Sequence, residues 1–439
     1  MQPLTREQFR DALGKGLGRA YLHVRDFGAD GLRDELLHAC LESLAIDPQW
    51  EGTRGDWLFA ILKRSGELES FRPPILAALQ GVKPDSAVTW DYSQWMELAT
   101  NFARLGCEES RRIIYRMLDD GVDDFYDAGC AVVRLDGMAG FLRVAEAVGA
   151  RLRNDAEFRD ESLWGYYAEK RLGERAIRTA LKGNAGKSKN VAAYLRNLRQ
   201  RRGKLRPART SSKRELGLTD ILVGVECGQD LDFIGFGRDA DQRDVEEVFA
   251  ILLQEQDTER LCRLLEVFQS RRVPFLHPRL FDLARSENRP LRRRAAGLLS
   301  LVRHPEVRRF ALELLRAESL TLRAVGCELM EVNARRGDLR TVMDSLPAAG
   351  DPDELHCIAE ALFKVAFLRK DREVKNLLQW IYERNSCSYC RNGAVEELLT
   401  KYGLPGLPAE QAHECRWDCL DLTRKLMRKS RRWKRRLGL

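Results

Sequence analysis

The feature that most constrains this chain is a repeated pair of amphipathic helices in its C-terminal half. From Pro290, suited to a first helical position, Leu291, Ala295, Leu298, Leu299 and Val302 recur at i, i+4, i+7, i+8 and i+11, which is one buried helical stripe. Pro305 opens a second stripe of Val307, Phe310, Ala311 and Leu314. The arrangement returns with Leu322, Val325, Gly326 and Leu329. After Gly337 and a capping Asp338 come Leu339, Val342, Met343 and Leu346. A third pair starts at Asp351-Pro352-Asp353-Glu354, with cap, first-turn proline and N3 carboxylate, and carries Leu355, Ile358, Ala359 and Leu362; its partner carries Val374, Leu377, Leu378 and Ile381. First helices thus begin at 291, 322 and 355 and second helices at 307, 339 and 374, a period of 31 to 35 residues. Hairpins of this kind cannot bury an apolar face alone, so they stack.

The predicted fold class is therefore all-α, an α-solenoid of helical hairpins in two halves, with an ordinary helical bundle as the competing architecture. The N-terminal half is less regular. Thr5 and Gln8 fit a capping box with Leu4 and Phe9 in staple positions. Stripes follow at Leu32, Leu36, Leu37 and Cys40, at Trp57, Leu58, Ile61 and Leu62, and at Trp95, Leu98, Ala99 and Phe102 opposite Ile113, Ile114, Met117 and Leu118. The expected division is a helical domain at 1–202, a basic linker at 203–217, a repeat domain at 218–420 and a basic tail at 421–439. Ile221, Leu222, Val223 and Val225 read as a short strand and Asp232-Phe233-Ile234-Gly235-Phe236-Gly237 as a loop.

The arginine-rich first helix, Arg292-Arg293-Arg294-Ala295-Ala296-Gly297-Leu298-Leu299, resembles HEAT-like repeats, including the short form of phycobilin-lyase-type (PBS-lyase-type) proteins, over about 290–400. The resemblance implies an α-solenoid without implying a ligand. It also implies two enzymatic alternatives, a DNA glycosylase that cradles duplex on a basic face and a lyase that attaches bilins to proteins. For the first, Trp164, Tyr166 and Tyr167 near the basic segment are the candidate lining.

Charge is unevenly placed. The net charge of +8 hides a segment at 175–214 with 14 basic and no acidic residues and another at 422–439 with nine basic and none acidic. Taking those 23 charges from +8 leaves −15 on the rest. In 191–202, Val191, Tyr194, Leu195 and Leu198 share one helical face while Arg196, Arg199, Arg201 and Arg202 point elsewhere, so the helix can dock and still display cations. Lys204 and Arg206 extend that surface, and Arg431, Arg432, Lys434, Arg435 and Arg436 form a second one in the tail beside Trp433. Residues 289–340 add twelve arginines against six acids, expected in rows along one face. The natural counter-surface is a polyanion, most simply the phosphate backbone of nucleic acid, with an acidic protein as competitor.

Of eleven cysteines, seven are scattered singly, the pattern of small core residues in a reducing compartment. Cys387-x2-Cys390 and Cys415-x3-Cys419 cluster, with spacings compatible with a structural zinc site. Buried free thiols compete, because all four fall on predicted core positions, and a reactive Cys387/Cys390 pair is a third reading. The histidines have no HxxxH or HExxH partner, and Gly183 to Ser188 lacks the first glycine and the preceding strand of a phosphate loop. Asp119-Asp120 and Asp123-Asp124 read as turn acids or caps. With no signal-like apolar run and no span of membrane length, the expectation is a cytoplasmic, non-enzymatic binding scaffold without a membrane partner.

Overall fold

The computed structural model describes residues 2–83, 89–160, 163–205, 216–335, 337–348, 350–367 and 373–402, with the backbone alone at 50, 123–124, 201–205, 367 and 399–400. All regular structure among them is helical. Residue contacts divide the described residues into two compact units, 2–205 and 216–402.

In the first unit the order is α1 (Arg6–Lys15), α2 (Gly18–Phe27), α3 (Arg33–Leu41), α4 (Pro48–Glu51), α5 (Gly55–Ser65) and α6 (Leu68–Gln80). Then come α7 (Trp90–Arg104), α8 (Glu108–Asp120), α9 (Tyr126–Asn154), α10 (Trp164–Leu172), α11 (Glu174–Ala185) and α12 (Lys189–Leu205). The capping box at the start of α1 forms: Gln8 N donates to Thr5 Oγ1 (3.2 Å) and Thr5 N to Gln8 Oε1 (2.9 Å). The expected stripes are buried in two cores. Phe9, Leu36, Cys40, Trp57 and Ile61 build one, while Tyr92, Ile114, Met117, Val132 and Phe141 build the other. Helix α9 is bent at Gly137, whose φ of 59° lies in the left-handed region that favours glycine. Its second half packs along α12, and the approach at Gly149 is so close that a Cβ there would sit 2.0 Å from the Asn190 carbonyl oxygen.

The second unit contains α13 (Leu218–Cys227), α14 (Phe233–Asp239), α15 (Gln242–Gln254), α16 (Thr258–Glu266), α17 (Pro278–Ala284) and α18 (Arg289–Ser300). It continues with α19 (Pro305–Leu314), α20 (Leu320–Asn333), α21 (Asp338–Ser345), α22 (Pro352–Phe367), α23 (Val374–Arg384) and α24 (Ser388–Tyr402). The three hairpins read from the periodicity are α18/α19, α20/α21 and α22/α23. Their first helices start at Arg289, Leu320 and Pro352, intervals of 31 and 32 residues. Helices α16, α18, α20, α22 and α24 touch in succession, each against the next, and one continuous apolar core runs from Ile221 to Leu398. This is an α-solenoid-like stack.

Polar contacts carry the same period. Arg294 pairs with Glu266 (2.6 Å), Arg308 with Asp338 (2.5 Å) and Arg285 with Glu313 (2.7 Å), while Thr321 Oγ1 donates to Glu354 (2.6 Å) and Trp380 Nε1 to the Pro347 carbonyl (3.2 Å). Each joins residues 28 to 33 apart, one repeat to the next.

Two local expectations are corrected. The β-branched run at 221–225 is helical, not a strand: Asp220 Oδ2 accepts from Gly217 N (3.1 Å) to start α13, and Ile221 and Val225 are buried one turn apart. Residues 232–237 are likewise helix and not loop, because Asp232 caps α14 through Gly235 N (2.8 Å) and Phe233 and Phe236 enter the core at i, i+3. Burial on one face outweighed the local preference in both cases. Helix α12 runs through Gly203 and Lys204 to Leu205. No helix among the described residues is long and apolar enough to cross a membrane.

Candidate functional site

Two places carry the chemistry anticipated from the sequence, the basic helix α12 and the loop that leads into α24. On α12, Val191 and Tyr194 are buried in the core that faces α9, with Leu195 and Leu198 partly buried beside them. Ser188 starts the helix by accepting from Asn190 N (3.2 Å) and Val191 N (3.1 Å) and donates to Glu146 (2.5 Å). Gly183 to Ser188 is therefore the last turn of α11 and the turn that leads into α12. Arg196 and Arg199 are exposed, and neither pairs with an acid among the described residues. Arg201, Arg202 and Lys204 continue the helix, their side chains undescribed, while Arg206 and the tail residues Arg431, Arg432, Lys434, Arg435 and Arg436 lie outside the described residues.

The arginines of 289–340 do not form a single display row. Besides the bridges of Arg294 and Arg308, Arg309 lies 3.8 Å from Glu306. Arg292 donates to the carbonyls of Ser286 (2.6 Å) and Glu287 (3.1 Å), and Arg323 to those of Ala317 (2.6 Å) and Ser345 (3.2 Å). Arg289, Arg292 and Arg293 line a cleft of about 110 Å³ on α18, α20 and α22 with Glu328, Cys357, Glu360 and Lys364. Both signs of charge meet there. Burial pushes the Glu328 carboxyl above its usual range, against the pull of Lys364, and the Arg292 guanidinium below its own.

Trp164 is a core residue and not an exposed lining. It is fully buried, stacked on Tyr194 (5.2 Å between ring centroids) and tilted against Phe141 (5.6 Å), where it fills the core between α9, α10 and α12. Tyr166 is exposed under Lys170 (4.6 Å), and Tyr167 is half-buried. The lining expected of a glycosylase is not assembled by these three residues.

The second place is the loop Asn385-Ser386-Cys387. Asn385 is fully buried, and its Oδ1 accepts from Cys387 N (2.9 Å). Arg391, 1 % exposed, folds back so that Nη1 donates to the carbonyls of Asn385 (3.0 Å) and Ser386 (2.8 Å). Arg391 N donates to the Cys387 carbonyl (3.1 Å), the first turn of α24, so Cys387 stands at the helix start with Cys390 one turn on. The preceding first helix, α22, begins where Asp351 Oδ1 accepts from Asp353 N (3.0 Å) and Glu354 N (3.2 Å), and it places His356 against the cysteines. Cys390 Sγ is 3.9 Å from His356 Nδ1, and the ligand atoms of His356, Cys387 and Cys390 all lie within 4.8 Å of one another.

The three groups perturb each other. His356 is raised above the usual histidine range, first by its hydrogen bond to Cys387, with burial opposing and the charges of Cys387 and Glu360 adding to the rise. The Cys390 thiol is pushed up strongly by its hydrogen bond to Cys387, by burial and by the charge of Cys387.

The sequence-based cluster is accordingly represented by Cys387 and Cys390, which lie together, while Cys415 and Cys419 fall outside the described residues. His356 was missed. It has no neighbour in sequence that marks it, but it precedes Cys387 and Cys390 by 31 and 34 positions, the repeat period itself. Tetrahedral zinc with bonds of about 2.3 Å to sulfur and 2.0–2.1 Å to nitrogen sets its donors roughly 3.5–3.8 Å apart. The group can hold such an ion after a contraction of at most about 1.3 Å. No family model, curated protein or solved structure matches this chain.

Proposed function

We propose that this chain is a non-enzymatic helical-repeat scaffold, of the HEAT-like kind its repeats resemble, whose basic segments hold a polyanionic partner, nucleic acid before an acidic protein. One observation carries the reading: α12 spends its apolar face in the core, leaving Arg196 and Arg199 exposed without acidic partners among the described residues. Such a helix is rigidly mounted and charged on its outer side, which favours phosphate contacts that position a strand without reading bases. The cleft at Arg289 and Arg293 contributes less, because Glu328 and Glu360 offset its cations. The cysteine group is a site for structural zinc, with Cys387 and Cys390 as two ligands and Cys415 and Cys419 as candidates for the remainder.

Binding to duplex and single-stranded DNA and RNA, measured from low to moderate salt, tests the scaffold reading. Affinity should fall linearly on logarithmic axes, at about 0.9 per phosphate neutralised for duplex. Replacing Arg196, Arg199, Arg201, Arg202, Lys204 and Arg206 by Gln should flatten that slope and weaken binding with the helical content retained. Absence of binding at low salt, or a slope the substitutions leave untouched, would remove nucleic acid from this segment.

A further inference from the structure

We infer that His356 is a ligand of the zinc site, together with Cys387 and Cys390, so that the ion ties two neighbouring first helices of the stack, α22 and α24, to each other. The inference rests on the zinc reading above and adds a ligand and a role to it. Three observations converge. The donor atoms come from two elements a full repeat apart yet sit within 4.8 Å, and a donor set of two sulfurs and one imidazole nitrogen suits zinc, a borderline-soft ion. Asn385, which is fully buried, turns its side-chain amide to His356 and Cys390. A donor in that place is suited to a metal-bound thiolate, the outer-shell contact that orients ligands. The loop carrying the first sulfur is itself held by the buried Arg391 through two carbonyls.

Core packing alone accounts for a buried Cys387, but it does not account for an imidazole and a buried amide brought to the same two sulfurs. The role follows from the position. In a stack stabilised repeat by repeat, a bond between α22 and α24 joins two consecutive repeats directly. Metal binding at such a site is also folding free energy.

The full-length chain, reduced and stripped by a chelator, should take up one equivalent of zinc. With cobalt it should show thiolate-to-metal charge transfer and the visible bands of a tetrahedral site. His356→Asn should weaken zinc by more than tenfold and shift the visible bands, while charge transfer per bound cobalt persists. Cys390→Ser should reduce that charge transfer, and the far-ultraviolet circular dichroism of each variant shows that the helices remain. If the wild-type chain takes up no zinc, the zinc reading fails and this inference with it. If it binds zinc but His356→Asn leaves affinity and visible bands unchanged, His356 is no ligand and the zinc reading stands.

Discussion

Single buried polar residues explain much of how this chain is held. The histidines take structural posts: Nδ1 of His277 caps α17 through Arg279 N (3.1 Å), and that of His304 caps α19 through Glu306 N (3.3 Å), each directly before a proline. His23 is 6 % exposed between the rings of Phe9 and Phe27, and its Nδ1 accepts from Leu4 N (3.0 Å). Burial lowers its affinity for a proton. A histidine depressed in the folded state leaves stability intact above the unfolded value near 6.5, and stability is lost as pH falls below it, because only the unfolded chain takes up the proton there. The wild-type free energy of unfolding should therefore drop between pH 7 and pH 5 more steeply than that of His23→Gln, by at most about 1.4 kcal/mol per pH unit, as read from urea unfolding at each pH. Parallel curves would exclude His23 as the titrating group. None of these posts was legible from residue spacing. A histidine that accepts from a backbone N–H leaves no periodic trace, and His356 finds its partners only across a repeat.

At the scale of helices, legibility followed amphipathicity. The stripes from Leu291 to Ile381 were read correctly because each hairpin buries the same face at the same spacing, so every repeat reinforces the reading of the next. Helices α13 and α14 were not. Their apolar residues are β-branched or interleaved with glycine, and helix is selected there by a capping carboxylate and by packing, as when the α-carbon of Gly237 is pressed so near the Val267 carbonyl that a Cβ would fall 1.7 Å from its oxygen. The same kind of contact positions the basic helix. Since a Cβ at Gly149 would meet the Asn190 carbonyl at 2.0 Å, Gly149→Ala must push α12 away from α9. It should cost about 1–3 kcal/mol or more in urea unfolding and weaken polyanion binding, although residue 149 is not among the exposed cations. Full retention of both stability and binding would show that α12 can shift without consequence.

For the molecule as a whole, the decisive property is that the repeat unit is bound to its neighbours more than to anything distant. Asn333, at the end of α20, shows how. It is 6 % exposed, accepts from His304 N (2.9 Å) and donates to the carbonyls of Val302 (2.9 Å) and Leu329 (3.0 Å), so one amide joins the loop of one hairpin to the helix of the next. Arg294 with Glu266 and Arg308 with Asp338 do the same through charge, each one repeat apart. In a stack with these nearest-neighbour terms, damage at one interface should stay near it. Asn333→Ala removes the acceptor of the His304 N–H and the donor to the Val302 carbonyl, both part-buried bonds between repeats, at a cost of about 1 kcal/mol. Hydrogen exchange should then quicken in α18 to α21 and, more weakly, in the flanking repeats, with the amides of residues 2–205 unchanged. A uniform acceleration over both units would mean that the chain unfolds as one cooperative body and that the repeat is only a pattern of sequence.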